Sequence, residues 1–262
     1  MTAITCDFTK EGFAIDQNIV NKEHLELFYD EVRGIGRCIS TVAPTDQSIH
    51  AVWNTLRAQN RSLAGQLYDA IKHSITLRQI AVAPNLVAAV RHYLGSQLVG
   101  LVDLNVRIDA PEENQFLFGW HQDYTYNLCS KEGLVVWIPL TELDLETGGL
   151  EIISNAVTGG RIYKVKRNPV YVSYSNSILI DEEVEEASAE RVYPNLGDAL
   201  FFKFNVMHRS MPNNSKTKCR WTLQLRFASY EDAEFQQERF RMEPVRADKI
   251  AYLERMEKNE AN

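Results

Sequence analysis

The texture of the chain changes once, at Gly95, and that change limits the folds open to it. Before Gly95, apolar residues recur at helical spacing. Leu25, Phe28 and Val32 do so in "NKEHLELFYDEVRGIG", where Gly34 reads as a stop. Val52, Leu56, Leu63 and Leu67 do so in "DQSIHAVWNTLRAQNRSLAGQLYDAIKH". "APNLVAAVRHYLG" ends the series, with Pro84 near its start and Gly95 just past its end. Beyond Gly95 the segments become short and rich in β-branched and aromatic residues: "SQLVGLVDLNVRID", "GLVVWIPLTEL", "GGLEIIS", "RIYKVK", "PVYVSY", "SILID", "GDALFFKF" and "RWTLQLRFASY". Turn clusters such as "APEEN", "ETGG", "NLGD" and "MPNNS" separate them. Many short strands at this spacing indicate an antiparallel sandwich or barrel rather than βαβ units. The last stretch, "EDAEFQQERFRMEPVRADKIAYLERMEKNEAN", is charged and reads as a helix with a loose tail. The expected organisation is one domain over 1–262, with helical support over 1–95, a β core over 96–230 and a C-terminal helix and tail over 231–262.

Composition narrows the partners. Hydrophobic residues make up 45% and charged residues 24%, which is globular rather than disordered or fibrous. The net charge of −7 repels phosphate backbones, so a nucleic-acid partner is not expected. Cys6, Cys38, Cys129 and Cys219 form no CxxC pair and are too scattered for a disulfide framework, so they read as reduced thiols of a cytoplasmic protein. "MTAITCDFTKEGF" has no basic run followed by an apolar one and is not read as a signal peptide. No apolar stretch approaches the roughly 20 residues that span a bilayer. A soluble protein with a small-molecule substrate is expected.

The chemistry concentrates in "GWHQDYTYN", residues 119–127. If this is a strand, His121 and Asp123 point to one face and offer two metal ligands. A third ligand from elsewhere would complete the two-histidine, one-carboxylate facial triad of Fe(II), leaving three positions open. The pair alone is weak, because six histidines and 35 acidic residues give close to one His-x-Asp/Glu by chance. "HLE", His24 to Glu26, is such a decoy: it lies in a helical pattern, where residues two apart point about 200° apart. A later stretch, "NLGDALFFKFNVMHRSMPNNSKTKCRWTLQLRFASY", makes the signal more specific. His208 ends an apolar strand before a turn. Arg220 lies inside another strand, flanked by Trp221, Leu223 and Leu225, and a buried guanidinium needs an anionic partner. A dicarboxylate cosubstrate is one such partner.

In this order, "WHQDYTYN", "VVWIPLTELDLETGGLEII", "GDALFFKFNVMHRSMPNNS" and "CRWTLQLRF" resemble the phytanoyl-CoA dioxygenase family of Fe(II)- and 2-oxoglutarate-dependent oxygenases. The resemblance runs from about Gly95 to Tyr230. It implies a double-stranded β-helix, a jelly-roll core, beneath the N-terminal helical layer. It implies that His121, Asp123 and His208 bind Fe(II), that Arg220 holds the distal carboxylate of 2-oxoglutarate, and that Trp137 lines the cosubstrate pocket. Thr222, two residues after Arg220 on the same strand face, is expected to add a hydrogen bond. With O2 as the oxidant, the implied reaction is hydroxylation of an aliphatic C–H with release of succinate and CO2. Some halogenating relatives carry a small residue in place of the carboxylate ligand; Asp123 favours hydroxylation.

Other readings stay open. The same site serves desaturation or cyclisation; a jelly-roll isomerase would not need Arg220; a binding module would hold the ligands without turnover. The sequence also departs from many members, since "ETGGLEIISNAVTGG" runs on without their "PGSH"-like segment. Residues 163–190, with the acidic run "DEEVEE", read as a solvated hairpin or as a lid. Asn105 and Arg107 share a strand face, facing either the pocket or a surface salt bridge. Tyr124, next to Asp123, is expected to pack on the opposite face.

Overall fold

The computed structural model describes residues 7–127, 129–169, 177–237 and 239–240. Its first part is helical: α1 (Phe8–Glu11), α2 (Lys22–Ile39), α3 (Ile49–Gln59), α4 (Arg61–Ile71), α5 (Ile75–Ala81) and α6 (Pro84–Leu94). Asn21 caps α2 by accepting from the Glu23 N–H, and Leu25, Phe28, Val32 and Gly36 form its buried stripe. Gly34 does not end this helix, which runs on to Ile39. The glycine that matters is Gly36. A Cβ there would lie 2.6 Å from Val52 Cγ1, so glycine is what lets α2 and α3 approach. The long helical pattern after residue 46 is also broken, at Asn60. Its N–H donates to the Leu56 carbonyl and ends α3, and its side chain accepts from the Ser62 N–H and starts α4. Pro84 and the left-handed Gly95 bound α6 as expected.

Ten strands are described: β1 (Phe13–Asp16), β2 (Val99–Asp109), β3 (Leu134–Pro139), β4 (Leu150–Ile153), β5 (Val165–Arg167), β6 (Ile178–Ile180), β7 (Glu190–Val192), β8 (Ala199–Lys203), β9 (Met207–Ser210) and β10 (Arg220–Ser229). They form a five-stranded sheet in the order β1-β8-β3-β10-β2, a three-stranded sheet β7-β4-β9 and the hairpin β5-β6, with every pairing antiparallel. Three short helices, α7 (Tyr124–Asn127), α8 (Asn155–Thr158) and α9 (Ala233–Gln237), lie among the later elements. β1 falls inside the stretch expected to be helical and adds an edge strand against β8. "PVYVSY" falls almost wholly outside the described residues, as does the tail beyond residue 240.

Both faces of the large sheet are covered, which is why its strands read as apolar runs rather than as alternating ones. Leu134, Val136, Ile138, Trp221, Leu223 and Leu225 pack with Phe28, Trp53 and Leu56 of the helical layer. Trp221 is fully buried and meets Trp53 edge-on at 5.9 Å and Phe28 at 6.2 Å; such aromatic pairs contribute about 0.5–1.5 kcal/mol each beyond area burial. On the other face, Val135, Trp137, Leu200 and Phe202 pack with Leu150, Ile152 and Val192 of the small sheet. The result is the expected jelly roll of mixed α and β structure, with helices outside the large sheet. Among the described residues no helix is long and apolar enough to cross a membrane, and Cys38, Cys129 and Cys219 are free thiols.

Candidate metal centre

Alternation along β10 sends Trp221, Leu223 and Leu225 to the helices, and Arg220, Thr222, Gln224 and Arg226 into the space between the sheets. The register sets Arg220 opposite Asp109, Thr222 opposite Arg107, Gln224 opposite Asn105 and Arg226 opposite Asp103 on β2. Polar side chains therefore line one inner strip of an otherwise apolar sandwich, and the histidines lie nearby.

The geometry that gathers the three candidate ligands differs from the strand reading. His121 and His208 are a directly paired antiparallel couple: each N–H donates to the other's carbonyl at 3.0 Å. This places their rings side by side, with centroids 4.1 Å apart. Asp123 is not on a strand. It sits in the turn that opens α7, where its carbonyl accepts from the N–H groups of Tyr126 and Asn127. The donor atoms of His121, Asp123 and His208 all lie within 4.8 Å of one another, and all three residues are buried. Asp123 Oδ1 is 3.6 Å from His121 Nε2 and 3.9 Å from His208 Nε2.

The imidazoles are set in one tautomer. His121 Nδ1 lies 2.8 Å from the Gly119 carbonyl, and His208 Nδ1 lies 3.0 Å from the Val206 carbonyl. A carbonyl only accepts, so Nδ1 carries the proton and the Nε2 lone pair faces Asp123. Burial, reinforced by His121, pushes the His208 pKa down to about 3 against the pull of Asp123. Burial also opposes the charge on Asp123, yet the Arg226 guanidinium holds its carboxyl well below the ordinary range. Two imidazole nitrogens and a carboxylate converging on one point are a donor set for a divalent transition metal.

Arg226 is the residue that sequence reasoning missed. Its Nε donates to Asp123 Oδ2 at 2.9 Å, its Nη1 to Asp103 Oδ2 at 3.1 Å and its Nη2 to Gln224 Oε1 at 3.3 Å. The signal was present in "RWTLQLRF", where a polar residue recurs at every second position. Gln122, fully buried, was also missed. Its amide donates to the carbonyls of Arg161 and Asn205 and accepts from the Tyr163 N–H, tying the ligand turn to the segments around it.

Arg220 is 1% exposed and already has a protein anion. Its Nε and Nη2 donate to Asp109 Oδ2 at 3.0 and 2.8 Å, and its Nη1 to the carbonyls of Thr147 and Met211. Its burial thus has an anionic partner within the chain, Asp109. Arg107 donates to the other oxygen of Asp109 at 2.7 Å. Two guanidinium groups share one carboxylate, so the cluster carries a surplus positive charge. Burial opposes the Asp109 charge, but these two arginines hold its pKa below the ordinary value. Thr222 Oγ1 is buried and lacks any hydrogen-bond partner among the described residues. Trp137 packs in the inner apolar cluster, with its backbone paired to Gln224.

A cavity of about 390 Å³ opens beside Asp123. Its walls include Trp53, Arg61 and Tyr68 from α3 and α4, and Asn105, Arg107 and Arg226 from β2 and β10. Asn105 and Arg107 therefore face the pocket, and Arg107 makes its salt bridge there as well. Phe118 stacks on the His121 ring at 4.8 Å and Tyr126 meets it edge-on at 5.7 Å. Tyr124 turns away into the inner cluster, where its hydroxyl donates to Glu234 at 2.7 Å. The acidic run is engaged in local ion pairs: Asp181 with Lys166, Glu182 with Arg161 and Glu186 with Arg209. The described part of 163–190 is thus a hairpin with paired charges.

Solved structures of known proteins share this architecture. The epimerase SnoN in complex with Fe3+, alpha ketoglutarate and nogalamycin RO aligns with a TM-score of 0.57 at 15% identity, covering 85% of this chain and 80% of that one. The non-heme monooxygenase ThoJ aligns at 0.59 with 18% identity, covering 85% and 75%. EvdO2 from Micromonospora carbonacea var. aurantiaca, complexed with 2-oxoglutarate, aligns at 0.53 with 16% identity, covering 88% and 96%. At these identities the likeness is one of fold. No curated protein matches the chain. The family model of phytanoyl-CoA dioxygenase (PhyH) matches residues 8–220, from α1 through the small sheet to the first residue of β10. The chain belongs to the phytanoyl-CoA dioxygenase family of Fe(II)- and 2-oxoglutarate-dependent oxygenases.

Proposed function

We propose that this protein hydroxylates an aliphatic C–H bond of a small or carrier-bound metabolite, using Fe(II), 2-oxoglutarate and O2 and releasing succinate and CO2. The observation that carries the reading is the convergence of His121 Nε2, His208 Nε2 and Asp123 Oδ1, with both Nδ1 atoms tied to carbonyls. His121, Asp123 and His208 would hold Fe(II). When bound, the iron and its cosubstrate supply the oxidising power, and the protein supplies geometry and exclusion of water. Arg220, with Arg107 beside it, would neutralise the distal carboxylate of 2-oxoglutarate. The surplus charge of the Arg107–Asp109–Arg220 cluster and the unpartnered hydroxyl of Thr222 support that placement. Trp137 would back the cosubstrate from β3. Phe118 and Tyr126 cover the His121 ring and limit water at the centre. The helical layer and the jelly roll would act as one catalytic domain.

The test is an anaerobic titration with Fe(II) and 2-oxoglutarate. A weak visible charge-transfer band is expected from a ferrous chelate of this kind. It should vanish in His121→Ala and in His208→Ala, and admission of O2 should yield succinate. Zinc in place of iron, or no band at all, would overturn the reading. Product analysis with a turned-over substrate separates hydroxylation from desaturation, which would use the same ligands.

A further inference from the structure

Within that reading, the inner strip of β10 holds a residue whose work is to shape the metal site without touching the metal. The pairing of β10 with β2 shifts register between Arg226 and Phe227. A bulge of this kind bends the strand and re-aims a side chain. Here the extra residue is Val102 of β2, beside Asp103, whose carboxylate holds the guanidinium that reaches across to Asp123. Arg226 is fixed on its other edges by Asp103 and Gln224, so its orientation does not depend on Asp123 alone. Its Nε takes up Oδ2 of Asp123 at 2.9 Å, while Oδ1 remains on the side of the two histidine Nε2 atoms.

We infer that Arg226 is a positioning residue that holds Asp123 as a one-oxygen ligand and so keeps a third coordination position open. The arithmetic is that of an octahedral ion. Two imidazole nitrogens and one carboxylate oxygen leave three positions, two for the cosubstrate chelate and one for O2. If Asp123 swung to offer both oxygens, only two would remain. Occupying Oδ2 with a charge-assisted hydrogen bond prevents that swing. The inference rests on the proposed triad and fails with it, so the test must tell the two apart.

Co(II) is the probe, titrated anaerobically into the metal-free full chain, with binding and the visible Co(II) spectrum both followed. Wild type should bind Co(II) through the triad. Arg226→Gln should bind it about 10–100-fold more weakly, the usual loss when a partner of a metal ligand is removed, and its spectrum should change with the ligand arrangement. Arg226→Lys keeps the charge but loses the planar fork, and should fall between the two. It carries the test if the glutamine variant does not fold. Variants that match wild type in both affinity and spectrum overturn the role of Arg226. A wild type that takes up no Co(II), or a His208→Ala variant that binds it equally well, overturns the triad beneath it.

Discussion

Replacing Thr222 with valine should move two quantities in opposite directions. Thr222 is fully buried on β10, with Arg107 and Pro139 as its cross-strand neighbours, and its hydroxyl has no partner among the described residues. A buried unsatisfied hydroxyl costs about 1–3 kcal/mol. Valine fills nearly the same volume without it and keeps a β-branched side chain suited to a strand. The ligand-free protein should therefore gain about 1 kcal/mol, taking the low end because the hydroxyl can relax slightly. If the hydroxyl donates to the cosubstrate carboxylate, it makes a charge-assisted bond of about 1.5–3 kcal/mol when 2-oxoglutarate is bound. At about 1.4 kcal/mol per factor of ten, its loss should weaken 2-oxoglutarate binding about 10–150-fold. Urea unfolding of the ligand-free protein gives the first number. Calorimetric titration of 2-oxoglutarate into the Mn(II)-loaded protein under nitrogen gives the second. A more stable variant with unchanged affinity would mean that the hydroxyl is a tolerated defect of the core and that the cosubstrate lies elsewhere. A less stable variant would mean that the hydroxyl is already satisfied, which removes the reason to expect either change.

Two further expectations concern stability. His208 titrates at about 3 in the folded, metal-free chain against an ordinary value of 6.5. Its folded pKa is depressed, so its contribution is complete above pH 6.5 and is lost as pH falls toward 3. The urea midpoint of the metal-free protein should drop from about pH 7 to about pH 5, and the drop should be smaller in His208→Gln; equal slopes would remove His208 as the cause. Gly36→Ala should destabilise the protein by about 1–3 kcal/mol, the usual cost of overpacking. Alanine's better helix propensity works against this by about 1 kcal/mol, but its Cβ would meet Val52 Cγ1 at 2.6 Å. A raised Tm in that variant would show that α3 can retreat from α2.

The sequence disclosed those parts of the molecule that depend on local periodicity. The helices before Gly95, the strands after it and the cap pair Pro84/Gly95 all come from spacing and turn chemistry. What it concealed depends on contacts between distant segments. Gly34 and Gly36 look alike as helix breakers, and only the packing of Val52 tells why a glycine is kept at 36. β1 is too short for its alternation to stand out, and it becomes a strand because β8 offers an edge. At the site, His121, Asp123 and His208 were legible as residues, but not the way they meet. The sequence suggested two ligands on one strand face; the structure pairs His121 with His208 across two segments and brings Asp123 in from a turn. Asp109 as a partner of Arg220 was not foreseen, because the pairing of β2 with β10 that sets the two opposite each other cannot be read from either strand alone. Arg226 was in plain view, two same-face steps beyond Thr222, and went unread because no motif pointed to it.

The cavity beside Asp123 draws its lining from three parts of the chain: β2 and β10, α3 and α4, and the stretch from Glu113 to Asn127 that carries Asp123 itself. One wall belongs to β2 and β10, whose inner strip also carries the groups around the metal ligands. Another part of the lining belongs to α3 and α4, which Asn60 joins by capping both. Trp53, Arg61 and Tyr68 hold none of the candidate ligands in place. Replacements along α4 would therefore reshape this part of the cavity while leaving the candidate metal ligands alone.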